Sequence, residues 1–218
     1  MSDTKRLTIA FDTSAAHCAA ALLSGDRVLE QRTEAMAKGQ AERLMGLLDE
    51  MLTAQGAGFG DLGLIGVGTG PGNFTGVRLS VAAARGLALS TGARAIGVTR
   101  LEAALYGLPR PAVAAFDARR DAVYLQAMSA GGAGAPRLVA EEALAAADLP
   151  VGAVCVGDAA KLAAAACGGT VGAAAEPLAV SIARIALSRR DAPETRPAPL
   201  YLRAADAAPA APAPQLIP

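Results

Sequence analysis

Residues 64–79 read Leu-Ile-Gly-Val-Gly-Thr-Gly-Pro-Gly-Asn-Phe-Thr-Gly-Val-Arg-Leu, a glycine-rich turn of the kind that can bring backbone N–H groups against a phosphate. Leu64, Ile65 and Val67 form a short apolar run of parallel-strand type. Gly68, Gly70, Pro71 and Gly72 then make a tight turn that side chains would obstruct, and Asn73 or Thr75 can cap the helix that follows. A P-loop needs Gly-x-x-x-x-Gly-Lys-Ser/Thr, and no lysine lies between Lys38 and Lys161. A dinucleotide fingerprint starting at Gly68 or Gly70 would place its third glycine on Asn73 or Thr75. Two readings stay open: the glycines let a strand and a helix pack closely, or the helix N-terminus makes some phosphate contact.

Other residues capable of chemistry are few. Asp12 and Asp117 each end a short strand in a Phe-Asp step, where an aspartate can handle a metal or cap its own turn. His17 is the single histidine, so no Ser-His or Cys-His pair can be argued from it, and a lone histidine in a strand reads as structural. Cys18, Cys155 and Cys167 are odd in number and lack a CxxC pair, which describes neither a disulfide framework nor a zinc site. They are expected as reduced thiols in a cytoplasmic protein.

Composition narrows the classes further. The 218 residues are 53% hydrophobic and 18% charged, enough to bury a real core in one large domain or two small ones. Aromatics are 3% with no tryptophan, so that core must be built from Ala, Leu and Val. The formal net charge is zero, whereas a dedicated nucleic-acid binder usually carries a basic excess and stacking aromatics; an independent nucleic-acid binder is thus a weakened third reading, and a local basic patch stays open. No secretory h-region and no membrane-spanning apolar run is present.

These residues need elements to hold them. Leu7, Ile9 and Phe11 alternate with Thr8, Ala10 and Asp12 in a first strand. Strands follow over 17–23 and 27–33, joined by the Ser24-Gly25-Asp26 turn. Residues 40–54 have helical spacing, with Leu47 and Met51 widening the apolar stripe. The strand at Leu64, a helix over 75–90, a strand over 95–98 and a helix over 101–108 complete a first unit. After Pro109 and Pro111 a similar order recurs: strands over 113–117, 122–128 and 137–141 around a flexible turn at 131–134, a short helix over 142–147 and a strand at 154–157. This is read as an internal duplication of a β-β-β-α-β-α unit. Pro177 is expected at the first position of a last helix, and residues 204–218, rich in Ala and Pro, as a flexible tail.

The run from Gly68 to Arg78, Gly-x-Gly-Pro-Gly-Asn-Phe-Thr-Gly-Val-Arg, resembles the signature of the TsaB (YeaZ) family, the non-catalytic partner of TsaD in making threonylcarbamoyladenosine on tRNA. Phe11-Asp-Thr-Ser14, Phe116-Asp-Ala-Arg119 and Pro199-Leu-Tyr-Leu-Arg203 support it, and together these pieces span residues 7 to 203. Gly68, Gly70, Pro71, Gly72, Phe74, Thr75 and Gly76 then form a structural loop. The resemblance implies an α/β fold of duplicated units, the two-lobed actin/Hsp70-like (RNase H-like) architecture. It implies an N-terminal lobe over 1–108, a smaller lobe over 109–176, and a final helix over 177–190 that returns to the first lobe.

The same resemblance speaks to the site. TsaD binds its metal through His-x-Glu-x-His after the strand equivalent to 95–98, and the aligned stretch here is Arg100-Leu-Glu-Ala-Ala104. Glu102 remains, but Arg100 and Ala104 stand where the imidazoles would be, so no metal, catalytic residue or cofactor is expected in the isolated chain. ATP or ADP would enter only in the assembled complex. On a helical wheel Arg78 and Arg85 share a face with Ala82 and Leu89, while Leu79, Ala83, Gly86 and Leu87 occupy another, so the helix is expected to be buried on more than one side. In the family this helix and the 40–54 helix pack against TsaD, and the same face can make homodimers. Leu47, Met51, Arg78, Ala82, Arg85 and Leu89 are the expected partner interface. A scaffold for a TsaD-like subunit, joined by a TsaE-like ATPase and reaching ANN-decoding tRNA through the complex, is the expectation. The alternative is an enzyme on the same fold, a sugar-kinase-like phosphotransferase or a glycoprotease-like peptidase, which a nucleotide or metal pocket would reveal.

Overall fold

The computed structural model describes residues 7–193 and 195–203; the expected tail lies outside the described residues. Strand β1 (Leu7–Asp12) is buried along its whole length because it lies inside a sheet covered on both faces. It pairs antiparallel with β2 (His17–Ser24), which pairs antiparallel with β3 (Arg27–Ala35). On its other side it runs parallel to β4 (Leu62–Gly68), which runs parallel to β5 (Arg94–Val98). The order is β3-β2-β1-β4-β5.

Period-two alternation sends the residues of β1 to opposite layers. Leu7, Ile9 and Phe11 meet helix α1 (Gln40–Ala54) and helix α2 (Phe74–Thr91) in the largest core cluster. Ala10 faces the other way, against helix α5 (Leu178–Ser188). That helix can sit close because the strands beneath it are nearly bare: a Cβ on Gly66 would already lie 3.1 Å from Ala10, 3.1 Å from Ile182 and 3.2 Å from Ala186. Thr8 and Asp12, which alternation alone would leave polar and exposed, are 2% and 0% exposed under this cover.

The second sheet repeats the first. Strands β6 (Ala112–Asp117), β7 (Ala122–Ser129) and β9 (Arg137–Ala140) are antiparallel neighbours, with a short β8 (Gly132–Ala133) on the β7 edge. Strand β6 also runs parallel to β10 (Val154–Val156), and β10 parallel to β11 (Thr170–Val171). The path β9-β7-β6-β10-β11 has the order and the strand directions of the first sheet. A 3-10 turn over Glu141–Ala146 stands where α1 stood, and α4 (Ala160–Cys167) where α2 stood. The duplicated β-β-β-α-β-α reading therefore holds. The two closing helices are exchanged: α3 (Arg100–Leu105) packs against Ala112, Ala114 and Phe116 of the second sheet, while α5 packs on the first.

Several local expectations are corrected. The helix at 101–108 ends at Leu105, and the one at 142–147 is 3-10 rather than α. The flexible turn at 131–134 holds β8. Pro177 caps α5 instead of opening it, with an extended ψ of 144°. Leu47 and Met51 are not on a surface: both are 0% exposed in the core beneath the first sheet, because the apolar stripe of α1 is spent on its own strands. Nor is α2 buried on more than one side; its buried residues, including Val77, Ser80, Val81, Ala84 and Leu87, occupy one face. Among the described residues no helix is long and apolar enough to cross a membrane.

Candidate functional site

The glycine loop connects β4 to α2, and three of its glycines answer one neighbour, the turn Asp12-Thr13-Ser14 that leaves β1. A Cβ on Gly68 would stand 1.8 Å from Asp12 Oδ2, one on Gly72 2.2 Å from the Ser14 carbonyl oxygen, and one on Gly76 2.0 Å from the Thr13 carbonyl oxygen. Hydrogen bonds lock the approach: the Asn73 N–H donates to Ser14 O at 2.6 Å and Thr13 Oγ1 donates to Gly76 O at 2.7 Å. Gly70 is required for another reason, a φ of +86°, and its carbonyl accepts from the Arg100 N–H at 2.7 Å. Asn73, not Thr75, is the cap; its Oδ1 accepts from the Thr75 and Gly76 N–H groups at 3.0 and 3.2 Å. Of the two open readings, close packing is the one the geometry carries, since the first amides of α2 are taken by their own cap.

The acids at the strand ends also serve local structure. Asp12 Oδ1 accepts from the Ser14 N–H at 2.9 Å and the Ser14 hydroxyl at 2.8 Å, and lies 2.9 Å from His17 Nε2. Its Oδ2 is buried without a hydrogen-bond partner among the described residues and is walled in by Gly68. Asp117 repeats the arrangement one unit later, its Oδ1 accepting from the Arg119 N–H at 2.6 Å. Its own N–H donates to Asp158 Oδ1 at 2.6 Å.

Glu102 is equally committed. It closes a capping box on α3, accepting from the Thr99 N–H at 3.0 Å while its own N–H donates to Thr99 Oγ1 at 3.0 Å. Arg189, the residue that caps the C-terminus of α5, donates to its second oxygen at 2.7 Å. Burial raises the carboxyl's pKa, but the hydrogen bonds from Arg189 and Thr99 together outweigh it and hold the group below the ordinary carboxylate value. At the two flanking positions, Arg100 lies over the Phe116 ring at 3.8 Å and 3.6 Å from Asp158, and Ala104 is buried against the second sheet. Among the described residues no group of three or more His, Cys, Asp or Glu is placed to hold a metal ion.

The face of α2 opposite the core carries Arg78, Ala82, Arg85 and Leu89 together, all exposed, with Leu89 at 90%. Two of its members reach the returning segment 195–203. Arg78 lies 3.6 Å from the centre of the Phe74 ring and donates from Nε to the Tyr201 hydroxyl at 2.9 Å. Arg85 Nε donates to Pro197 O at 2.9 Å. Neither Tyr201 nor Pro197 was a site candidate from sequence; the Pro199–Arg203 stretch was visible as a motif, without a signal for where it would dock. Of the expected structural loop, Thr75 is exposed and Phe74 is 40% exposed under the Arg78 guanidinium.

Two sheets of one topology, with their closing helices exchanged, place the protein in the actin/Hsp70-like class. Residues 28–189 match the family model described as TsaD: tRNA N6-adenosine threonylcarbamoyltransferase, and the chain belongs to that family. It is 33% identical over 121 residues to the tRNA threonylcarbamoyladenosine biosynthesis protein TsaB of Escherichia coli (strain K12), across 53% of this chain and 52% of that one. It is 36% identical over 126 residues to the TsaB of Haemophilus influenzae (strain ATCC 51907 / DSM 11121 / KW20 / Rd), across 53% of this chain and 51% of that one. The chain thus spans about half the length of the curated relatives it matches. A crystal structure from Pseudomonas aeruginosa, of an uncharacterized protein with similarity to peptidase YeaZ, superposes with a TM-score of 0.73 at 25% identity, covering 90% of this chain and 99% of that one.

Proposed function

We propose that this chain is a non-catalytic scaffold in the formation of threonylcarbamoyladenosine on tRNA, docking a TsaD-like catalytic subunit through the exposed face of α2. The observation that carries this reading is the Ala82–Leu89 stretch: small residues and a 90% exposed leucine on a helix whose other face is core. Such a face lets a second helix approach closely and offers apolar area to bury. Arg78 and Arg85 flank it, and Leu47 and Met51 act only as support from within. The commitment of Glu102 to Thr99 and Arg189 favours a chain without a metal, whose partner supplies catalysis.

The rest of the assembly is proposed on the resemblance to the TsaB family. A TsaE-like ATPase joins the complex, ATP or ADP enters only there, and tRNA is reached through it in the cytoplasm. The same α2 face can pair two copies when the catalytic subunit is absent. The lobes divide at 1–108 and 109–176, with the last helix belonging to the first. Reconstitution of tRNA modification with a TsaD-like subunit, a TsaE-like ATPase and the threonylcarbamoyl adenylate tests the reading. Product should form with this chain and fall to background without it; equal product in its absence overturns the scaffold role.

A further inference from the structure

The two lobes enclose an open cleft of about 1090 Å³ at the carboxyl ends of β1 and β6. Its charge is lopsided. Five arginines line it (78, 100, 119, 120 and 203) against two acids, Asp117 and Asp158, in a chain whose formal net charge is zero. The acids are already engaged: Asp117 Oδ1 accepts from the Arg119 backbone, and Asp158 takes the Asp117 N–H and faces Arg100 at 3.6 Å. Arg119 and Arg78 have no acidic partner among the described residues, and Arg203 Nε is buried with no hydrogen-bond partner there, while its Nη2 donates to Arg119 O at 3.1 Å. Arg119, Arg120 and Asp121 all hold left-handed backbone, with φ of 58°, 53° and 53°. Three consecutive non-glycine residues in that region are costly, and their turn presents two arginines to the cleft. At the rim, Phe74 and Tyr201 are 40% and 46% exposed, with ring centroids 5.2 Å apart.

We propose that this cleft binds the phosphate backbone of an RNA strand, with Arg119 and Arg203 as phosphate contacts and the Phe74–Arg78–Tyr201 stack as a rim for a base. The chemistry separates this ligand from a magnesium nucleotide. The two backbone features that cradle a nucleotide's phosphates, a glycine loop and a helix N-terminus, are here closed by Ser14 and Asn73. Asp12, which would face a metal, is not among the described residues lining the cleft. Several guanidiniums lining one open cleft with aromatic side chains at its rim instead suit a nucleic-acid strand, whose phosphates they can contact while a base stacks on the rings. The choice of RNA over another polyanion rests on the tRNA role proposed above; the phosphate site itself does not.

The test is direct binding by the full chain alone, so that failure to dock a catalytic subunit does not affect it. Fluorescence anisotropy would follow labelled unmodified tRNA and a short single-stranded RNA across a salt series, with ATP and inorganic triphosphate as competitors. R119Q/R203Q is expected to weaken tRNA binding about tenfold and to flatten the log–log salt dependence by about 0.7 per lost contact for a single strand. Arg190→Gln, exposed and paired with Asp191 outside the cleft, should change neither. Should the double variant not fold by circular dichroism, phenylglyoxal modification of the wild-type chain gives the same answer, with tRNA shielding Arg119 and Arg203 more than Arg190. Equal affinity of variant and wild type, or equal modification with and without tRNA, overturns the proposal. Micromolar ATP that displaces the RNA overturns it in favour of a mononucleotide.

Discussion

Asp12 Oδ2 and Gly68 are held so close that a single added carbon on the glycine would stand 1.8 Å from the oxygen. The acid at the end of β1 is thus sealed on one side by the loop that leads into α2. Gly72 and Gly76 complete the seal against Ser14 and Thr13.

The seal predicts opposite outcomes for two glycines of one helix. Gly76→Ala forces a methyl to 2.0 Å from a backbone oxygen that cannot swing away, whereas a Cβ on Gly86 meets nothing within 4 Å. Overpacking of this kind costs about 1–3 kcal/mol. The exposed Gly86→Ala should instead stabilise by about 0.8–1 kcal/mol, the helix propensity difference. Denaturant melts of both variants check this; two changes of the same sign would contradict it.

Glu102 should leave a mark on acid stability. Its folded pKa lies below the ordinary value of 4.5, so the stability it contributes is fully present above that pH and is lost as pH falls through the lower folded value. Glu102→Gln removes the charge that Arg189 meets. The wild-type advantage over the variant should be constant at neutral pH and shrink on acidification below about pH 4.5. A difference that stays the same down to acid unfolding would mean that the Arg189 contact contributes nothing to stability.

The buried thiols should be silent. Burial, aided by Glu34, pushes Cys18 up to about 11, and burial with the Cys167 hydrogen bond at 3.7 Å pushes Cys155 up to about 12. The thiolate is the reactive form, so native protein at neutral pH should consume almost no Ellman reagent, and three thiols should appear in denaturant. Rapid reaction of the native chain would show that the core around β10 and α4 opens readily.

Much of this was legible in residue order and some was not, for definite reasons. The alternation of Leu7, Ile9 and Phe11 located β1, and the recurrence of Phe-Asp located β6, because strand periodicity is local. The wheel correctly put Arg78, Ala82, Arg85 and Leu89 on one face of α2. Periodicity names residues that share a face but not what covers it, which is why Leu47 and Met51 looked like interface and proved to be core. Helix α4, Ala-Lys-Leu-Ala-Ala-Ala-Ala-Cys, has too little polar contrast to show a period. The docking of Tyr201 on Arg78 spans 123 residues, and no local pattern encodes it.

The exposed face of α2 yields the sharpest test of the scaffold role. Ala82 and Leu89 have no part in holding the 195–203 segment, whereas Arg78 and Arg85 do, through Tyr201 and Pro197. Ala82→Trp and Leu89→Glu are therefore the clean variants, and Arg78→Glu would disturb the chain's own packing as well. Both positions are solvent-exposed in the isolated chain, so both variants should melt like wild type. If a partner helix lies on this face, the tryptophan cannot be accommodated and the glutamate buries an unpaired charge. A loss of about 1–3 kcal/mol in the complex is roughly ten- to a hundredfold in affinity. Circular dichroism, co-purification with a TsaD-like subunit and the modification assay should be run on one preparation, with binding and product falling together. Folded variants that bind the subunit normally would move the interface off α2.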